Sequence, residues 1–100
     1  MGNAIPVKIA DEFFKKKGDL VEKIQLLISK YAPMAYLLEV DEQFCAELFK
    51  FHPNYIEHIG SGLKRIQVRL DEYGNKCFHI HCTDGSDDVI SWKKCVRNAK

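Results

Sequence analysis

No two of the four cysteines (Cys45, Cys77, Cys82 and Cys95) stand three positions apart. That spacing excludes the knuckle of a zinc ribbon and the paired thiols of a thioredoxin-type site. Long apolar runs are missing as well: the longest fall far short of the ~20 residues that a bilayer-spanning helix needs. The opening segment, Met1 to Val7, lacks the charged and greasy blocks of a secretory leader. Gly2 invites an N-myristoylation signal, but Pro6 fills the slot where serine or threonine is required. A cytoplasmic location is therefore expected, with the four thiols reduced and lying in or near the core. Excess charge of either sign is absent too, the formal net charge being +1. Without repeats, low-complexity tracts or a linker, residues 1–100 are expected to form one domain, and 46% apolar content is enough for one core.

What the chain does contain is periodicity. Leu20, Ile24, Leu27, Ile28 and Tyr31 recur at helical spacing, while Glu22, Lys23, Gln25 and Lys30 face away. Asp19 is placed to cap that helix, with Glu22 three residues on, and Pro33 ends it. Asp41 is expected to cap a second helix, whose Phe44, Cys45, Leu48 and Phe49 form a core stripe. His52-Pro53 closes it and opens a short third one carrying Tyr55, Ile56 and Ile59, before Gly60-Ser61-Gly62 breaks the chain.

Alternation then replaces the helical period. Ile66, Val68 and Leu70 point one way and Arg65, Gln67 and Arg69 the other. In the next segment Phe78, Ile80 and Cys82 point inward, with Cys77, His79 and His81 outward. Asp84-Gly85 is a two-residue hairpin signal. That register sets Ile80 opposite Val89 on the core face and His81 opposite Asp88 on the outer face. Ser91 caps a terminal turn through Trp92, Lys93, Lys94, Cys95 and Arg97. Val7-Lys8-Ile9 and Glu12-Phe13-Phe14 are expected to form a strand or hairpin around Ala10-Asp11. The expected fold is α+β: an antiparallel sheet of three main strands, an N-terminal strand or hairpin joining its edge, two principal helices on one face and a short C-terminal helical turn.

His52-Pro53, Ile59-Gly60-Ser61-Gly62, Cys77-Phe78, Asp84-Gly85 and Ser91-Trp92-Lys93-Lys94-Cys95 occur in an order that resembles the domain of the plant "defective chloroplasts and leaves" proteins and their small bacterial and phage-type relatives. The resemblance covers nearly the whole chain. It implies a compact α+β domain without established catalytic residues, found also in a plant-specific RNA polymerase subunit. In the plant relatives it implies an association with ribosomal RNA maturation. Cys82 stands where those relatives often carry arginine, and Trp92 where they often carry tyrosine or phenylalanine.

Three site readings compete. In the first, Arg65, Gln67, Arg69, His79 and His81 share one sheet face with Lys64, Lys76, Lys93, Lys94 and Arg97 at its margins, and together they contact RNA. Cations neutralise phosphates and rings stack on unpaired bases. Residues 60–100 carry eight Lys/Arg against five Asp/Glu, whereas residues 1–59 carry seven against nine, a mild bias in the same direction. An ordinary solvated outer face would look much the same. The second reading is a protein-interaction module or a subunit of a larger nucleic-acid-handling complex. It places some of Phe13, Phe14, Tyr36, Leu37 and Leu38 in an exposed patch, against the alternative that they close the core. The third is a metal site of Cys77, His79 and His81 with Asp88 opposite, although all three side chains on one strand span too far for one ion without distortion. A Cys–His nucleophile built on Cys77 or Cys95 lacks an orienting group. His52 is read as a helix-boundary residue and Trp92 as a lid on the core. The expectation is a non-enzymatic binding module without cofactor, metal, membrane or small-molecule partner, engaging RNA or a protein of an RNA-processing assembly.

Overall fold

Alternating side chains at 63–70 and 76–82 make the two long strands on which everything else is laid. The computed structural model describes residues 7–99; residues 1–6, on which the leader and acylation readings fall, lie outside them. In chain order the elements are β1 (Val7–Ile9), β2 (Glu12–Phe14), α1 (Lys17–Ser29), α2 (Glu39–Phe49), α3 (Tyr55–Ile59), β3 (Leu63–Leu70), β4 (Lys76–Cys82), β5 (Asp87–Ile90) and α4 (Trp92–Asn98). The architecture is α+β, with antiparallel sheets of order β1-β2 and β3-β4-β5. The N-terminal hairpin forms as expected but stays separate from the main sheet. It packs instead on the helices, where the Phe14 and Phe44 rings meet edge to face with centroids 6.1 Å apart.

Ile66 faces Ile80 and Val68 faces Phe78 across β3 and β4, and all four are fully buried. Each contributes roughly 1.5–3 kcal/mol by leaving water. Leu20, Ile24, Leu27 and Ile28 of α1 and Phe44, Cys45, Leu48 and Phe49 of α2 close over that inner face. The expected stripes are therefore the core. Ile56 departs from expectation: it is 78% exposed, because the five-residue α3 buries only Ile59.

Neither expected acidic cap is a cap. Helix α1 begins one turn early, with Lys16 at its N-cap position and Asp19 inside its first turn. There the carboxylate still faces the positive end of the helix dipole. Asp41 sits likewise within the first turn of α2, behind Leu38 at the N-cap position, and is buried. Its Oδ2 accepts hydrogen bonds from Tyr31 Oη at 2.5 Å and Lys30 Nζ at 2.9 Å. The Tyr31 oxygen in turn accepts from the Leu38 amide at 3.0 Å. This link fixes the connector 30–38 to both helices.

The connector then runs along β3 as an additional edge. Met34 N donates to Val68 O, Val68 N to Ala35 O and Leu37 N to Ile66 O, at 2.7–2.9 Å. Ile66 N donates to Glu42 Oε2 at 3.2 Å. The β3 edge is thus covered, as exposed sheet edges require.

The β4–β5 register differs from expectation by one residue. Phe78 pairs with Ile90, His79 with Val89, Ile80 with Asp88 and His81 with Asp87. Cys82 N donates to Ser86 O, so Thr83-Asp84-Gly85 is a three-residue loop, with Gly85 at φ 89°. Such loops place glycine in the left-handed position, and the extra residue shifts every later partner. Val89 consequently turns outward and Asp88 inward, the reverse of the expectation.

Burial alone would raise the Asp41 carboxyl, but its hydrogen bonds from Tyr31 and Lys30 outweigh that and hold it below the ordinary aspartate value. A carboxyl depressed in the folded state stabilises above its unfolded value, and that contribution disappears as pH falls through the folded value. Tyr31→Phe is expected to cost about 1–3 kcal/mol at pH 7 in urea unfolding, by leaving the Asp41 carboxylate short of a donor. Asp41→Asn should flatten the loss of stability between pH 5 and pH 2, about the range in which aspartates titrate; an unchanged slope would contradict the assignment.

Candidate nucleic-acid interface

Parity sends Arg65, Gln67, Arg69, Cys77, His79 and His81 to the face opposite the helices, where Arg65 pairs with His81, Gln67 with His79 and Arg69 with Cys77. The expected grouping of the two arginines and two imidazoles on one side therefore holds. The face is not simply solvated. Gln67 is only 3% exposed, because the connector residues Met34 and Tyr36 lie beside it. Its Nε2 donates to Met34 O at 2.8 Å, while its Oε1 accepts from Arg69 Nε at 2.8 Å and His81 Nε2 at 3.0 Å. Both acceptor positions of the amide oxygen and one of its two N–H donors are used, which fixes the orientation of Arg69 and His81.

A second link runs from β4 to β5. His79 Nε2–H donates to Asp87 Oδ2 at 2.9 Å, and Arg69 stands 4.0 Å from the same oxygen. The His79 hydrogen bond holds Asp87 below the usual carboxylate range. His81 is lowered from the ordinary imidazole value by burial first, then by His79 and Arg69. It is therefore neutral near pH 7, and with its proton on Nε2 its Nδ1 is an acceptor.

Tyr36, a candidate for an exposed patch by sequence, stands beside this face, a placement the sequence did not disclose. The residue is 42% exposed, with the Arg65 guanidinium 4.3 Å from its ring centroid and the His81 ring 5.6 Å away. The register shift between Leu63 and Arg65 is a bulge, which turns Lys64 toward the same spot. Tyr36, Lys64, Arg65 and His81 line one shallow pocket of about 310 Å³. A planar aromatic, a planar cation and two further nitrogen groups thus meet at one exposed point.

The remaining basic residues are dispersed. Lys76 lies on the inner parity and donates to Ser29 O at 3.0 Å, at the C-terminal end of α1. Lys93 and Lys94 project from α4 into a cleft that outward-facing Cys77 and Val89 also line. Arg97 is exposed near the end of α4, where its carbonyl accepts from Lys17 Nζ at 2.7 Å. Of the five apolar candidates, Phe14 and Leu37 are core, while Phe13, Tyr36 and Leu38 are exposed. Ser91 caps α4, accepting from Lys94 N at 3.5 Å, and Trp92 packs against the core margin.

The thiols are arranged for burial. Cys45, Cys82 and Cys95 are buried and Cys77 half-buried, all free. Burial pushes the Cys45 and Cys77 thiols up and the Cys95 thiol up to about 12. Among the described residues no three His, Cys, Asp or Glu side chains converge as metal ligands. Asp88, expected opposite His81, instead accepts from His58 Nδ1 at 2.6 Å on the other side of the sheet.

Fold and face together define a small α+β domain with one hydrogen-bonded, cation-bearing sheet surface. The chain belongs to the family described as "protein of unknown function (DUF3223)", whose pattern matches residues 25–96. This corrects the expected membership of the chloroplast-and-leaves family, which the family match does not return. The motifs behind that expectation are runs of two to five residues, too short to choose between families. A solution NMR structure of an uncharacterized protein from Rhodospirillum rubrum is 37% identical, with a TM-score of 0.86 over 95% of this chain and 91% of the other. A stretch of DNA-directed RNA polymerase IV subunit 1 from Arabidopsis thaliana is 31% identical over 98% of the chain. The chain spans 7% of that subunit's length.

The charge arrangement can be checked by NMR titration of the imidazoles. His81 is expected to titrate below an ordinary exposed histidine. Arg69→Gln should move its midpoint up and Asp87→Asn should move it down, since Arg69 lowers and Asp87 raises it. A midpoint indifferent to both changes would contradict the network.

Proposed function

We propose that the protein is a non-enzymatic binding module that engages single-stranded RNA through the outer face of its main sheet. The observation that carries the reading is the exposed pocket in which Arg65 lies over Tyr36 beside His81 and Lys64. Unpaired bases stack on rings and guanidinium planes, and neighbouring cations neutralise phosphates. A base over Tyr36 would meet the acceptor Nδ1 of His81 at its edge, while Lys64 reaches the backbone. The raised thiols favour a binding role over thiol chemistry, because a nucleophilic cysteine needs a lowered value. Arg69 supports the face indirectly, by holding Gln67.

A second reading, a protein-interaction module within a larger nucleic-acid-handling complex, is favoured by the polymerase subunit that contains a similar stretch within a much longer chain. Exposed Phe13 and Leu38 would serve such contacts. Recovery of a partner that survives ribonuclease treatment favours this reading; a partner lost with the RNA favours the first.

Fluorescence anisotropy with a labelled single-stranded oligoribonucleotide tests the proposal directly. Tyr36→Ala should weaken binding by about 5- to 150-fold, the range that corresponds to ~1–3 kcal/mol of stacking per base. Arg65→Gln should weaken it and reduce the slope of log affinity against log salt by about 1. Lys76→Gln should leave RNA affinity unchanged, since that ammonium is spent on the end of α1. Wild-type affinity in both pocket variants would overturn the reading.

A further inference from the structure

A concavity larger than the outer-face pocket lies elsewhere on the molecule. It runs along the β5 edge, between the β3–β4 turn and α4, and has a volume of about 590 Å³. That is within the range of small-ligand sites, roughly 300–1,000 Å³. Its walls combine three lysines (Lys76, Lys93 and Lys94), the apolar Val89 and Ile90, and the indole of Trp92.

We propose that this cleft is a nucleotide site, with the phosphate held by Lys93, Lys94 and the His52 ring and the base laid against Trp92. The donors are directed by local structure. His52 Nδ1 accepts from the Asn54 amide at 3.0 Å, so the ring proton of the neutral form sits on Nε2, leaving one N–H donor in a residue that lines the cleft. His58 is pinned beside it: the two rings stand perpendicular with centroids 4.6 Å apart, and His58 Nδ1 is held by Asp88. Burial first, then His58 and Lys94, lower His52 below the ordinary imidazole value. The same positive surroundings that disfavour its second proton favour an anion.

The one carboxylate in the lining, Asp71, is occupied: its Oδ1 accepts from Tyr73 N and Asn75 N, each at 2.9 Å. Asp71 keeps its charge, but its Oδ1 is committed to the β3–β4 turn and it is the single acid against three lysines in the lining. Lys93 Nζ lies 5.9 Å from the Trp92 ring, close enough for one ligand to meet both charge and ring. A bare sugar phosphate or inorganic phosphate would satisfy the lysines but leave Trp92 and Val89 wet, so the chemistry that fits is a phosphate joined to a flat base. A free mononucleotide and one nucleotide of an RNA strand both supply it.

Trp92 is the only tryptophan in the chain, so its emission reports this cleft alone. Titration with AMP or UMP is expected to change that emission saturably, with ribose 5-phosphate and inorganic phosphate binding more weakly. Lys94→Gln should weaken binding about tenfold or more, the scale of one charge-assisted hydrogen bond, and Lys93→Gln should act in the same direction. Unchanged thermal melts in both variants keep the loss assignable to the site. Tyr36→Ala leaves the mononucleotide response intact, which separates this site from the outer-face reading: either can fail alone. A response to a five-nucleotide single-stranded RNA that depends on Lys94, with none to AMP or UMP, makes the ligand a strand; the converse makes it a free nucleotide. Absence of any saturable change, or a change indifferent to both lysines, overturns the proposal.

Discussion

The pairing of β3 with β4 is the constraint from which the rest follows. Ile66 against Ile80 and Val68 against Phe78 are completely buried, and a slip of one residue in either strand would carry that strand's apolar pair into water while driving its outward residues, Arg65, Gln67 and Arg69 or Cys77, His79 and His81, into the core. At roughly 1.5–3 kcal/mol for each large apolar side chain, the exposed pair alone costs about 3–6 kcal/mol, a large share of the roughly 5–15 kcal/mol that holds such a domain, and the buried arginines or histidines add to it. The register is therefore fixed by the inner face. The outer face inherits its arrangement: two arginines and two histidines stand on adjacent strands because hydrophobic residues on the other side leave no alternative.

That inheritance explains which features were legible in the sequence. The α1 stripe, the α2 stripe and the β3–β4 alternation were readable because each repeats several times, so one exception such as Leu70, half-exposed at a strand end, does not spoil the pattern. Features resting on one residue were not. Asp19 and Asp41 have the chemistry of helix caps, yet backbone geometry put other residues at those positions. Asp84-Gly85 looked like a complete turn, and counting Thr83 into the loop required knowing that Cys82 still pairs with Ser86.

Tyr36 and Gln67 were obscured for a related reason. Residues 32–38 carry no period, so nothing in them announces that they form an edge beside β3. Once they do, an outward-pointing glutamine becomes one of the most enclosed polar groups in the molecule, and a connector tyrosine becomes the exposed aromatic of the sheet. An outer face identified by parity alone is thus correct in its membership and wrong in its accessibility. Gln67 belongs to it but is a strut; Tyr36 does not belong to any of its strands but supplies the ring. The family and structural relatives establish the fold and leave this distinction to the side chains.

A net charge of +1 conceals how the charges are sorted. The two acidic residues of β5 would repel a polyanion if free, but each accepts a hydrogen bond from an imidazole on a different side of the sheet: Asp87 from His79 and Asp88 from His58. Asp88 also accepts from the Val89 amide at 2.8 Å, so the same carboxylate occupies a donor on the open sheet edge and resists strand addition. With the acids engaged, Lys64 and Arg65 at one end of the sheet and Lys93 and Lys94 at the other have no carboxylate within ion-pair distance among the described residues. Uncompensated cations beside rings at both ends, with acids hydrogen-bonded between them, form a pattern that total charge cannot express. It makes the distribution of charge, rather than its sum, the property by which this fold can select an anionic ligand.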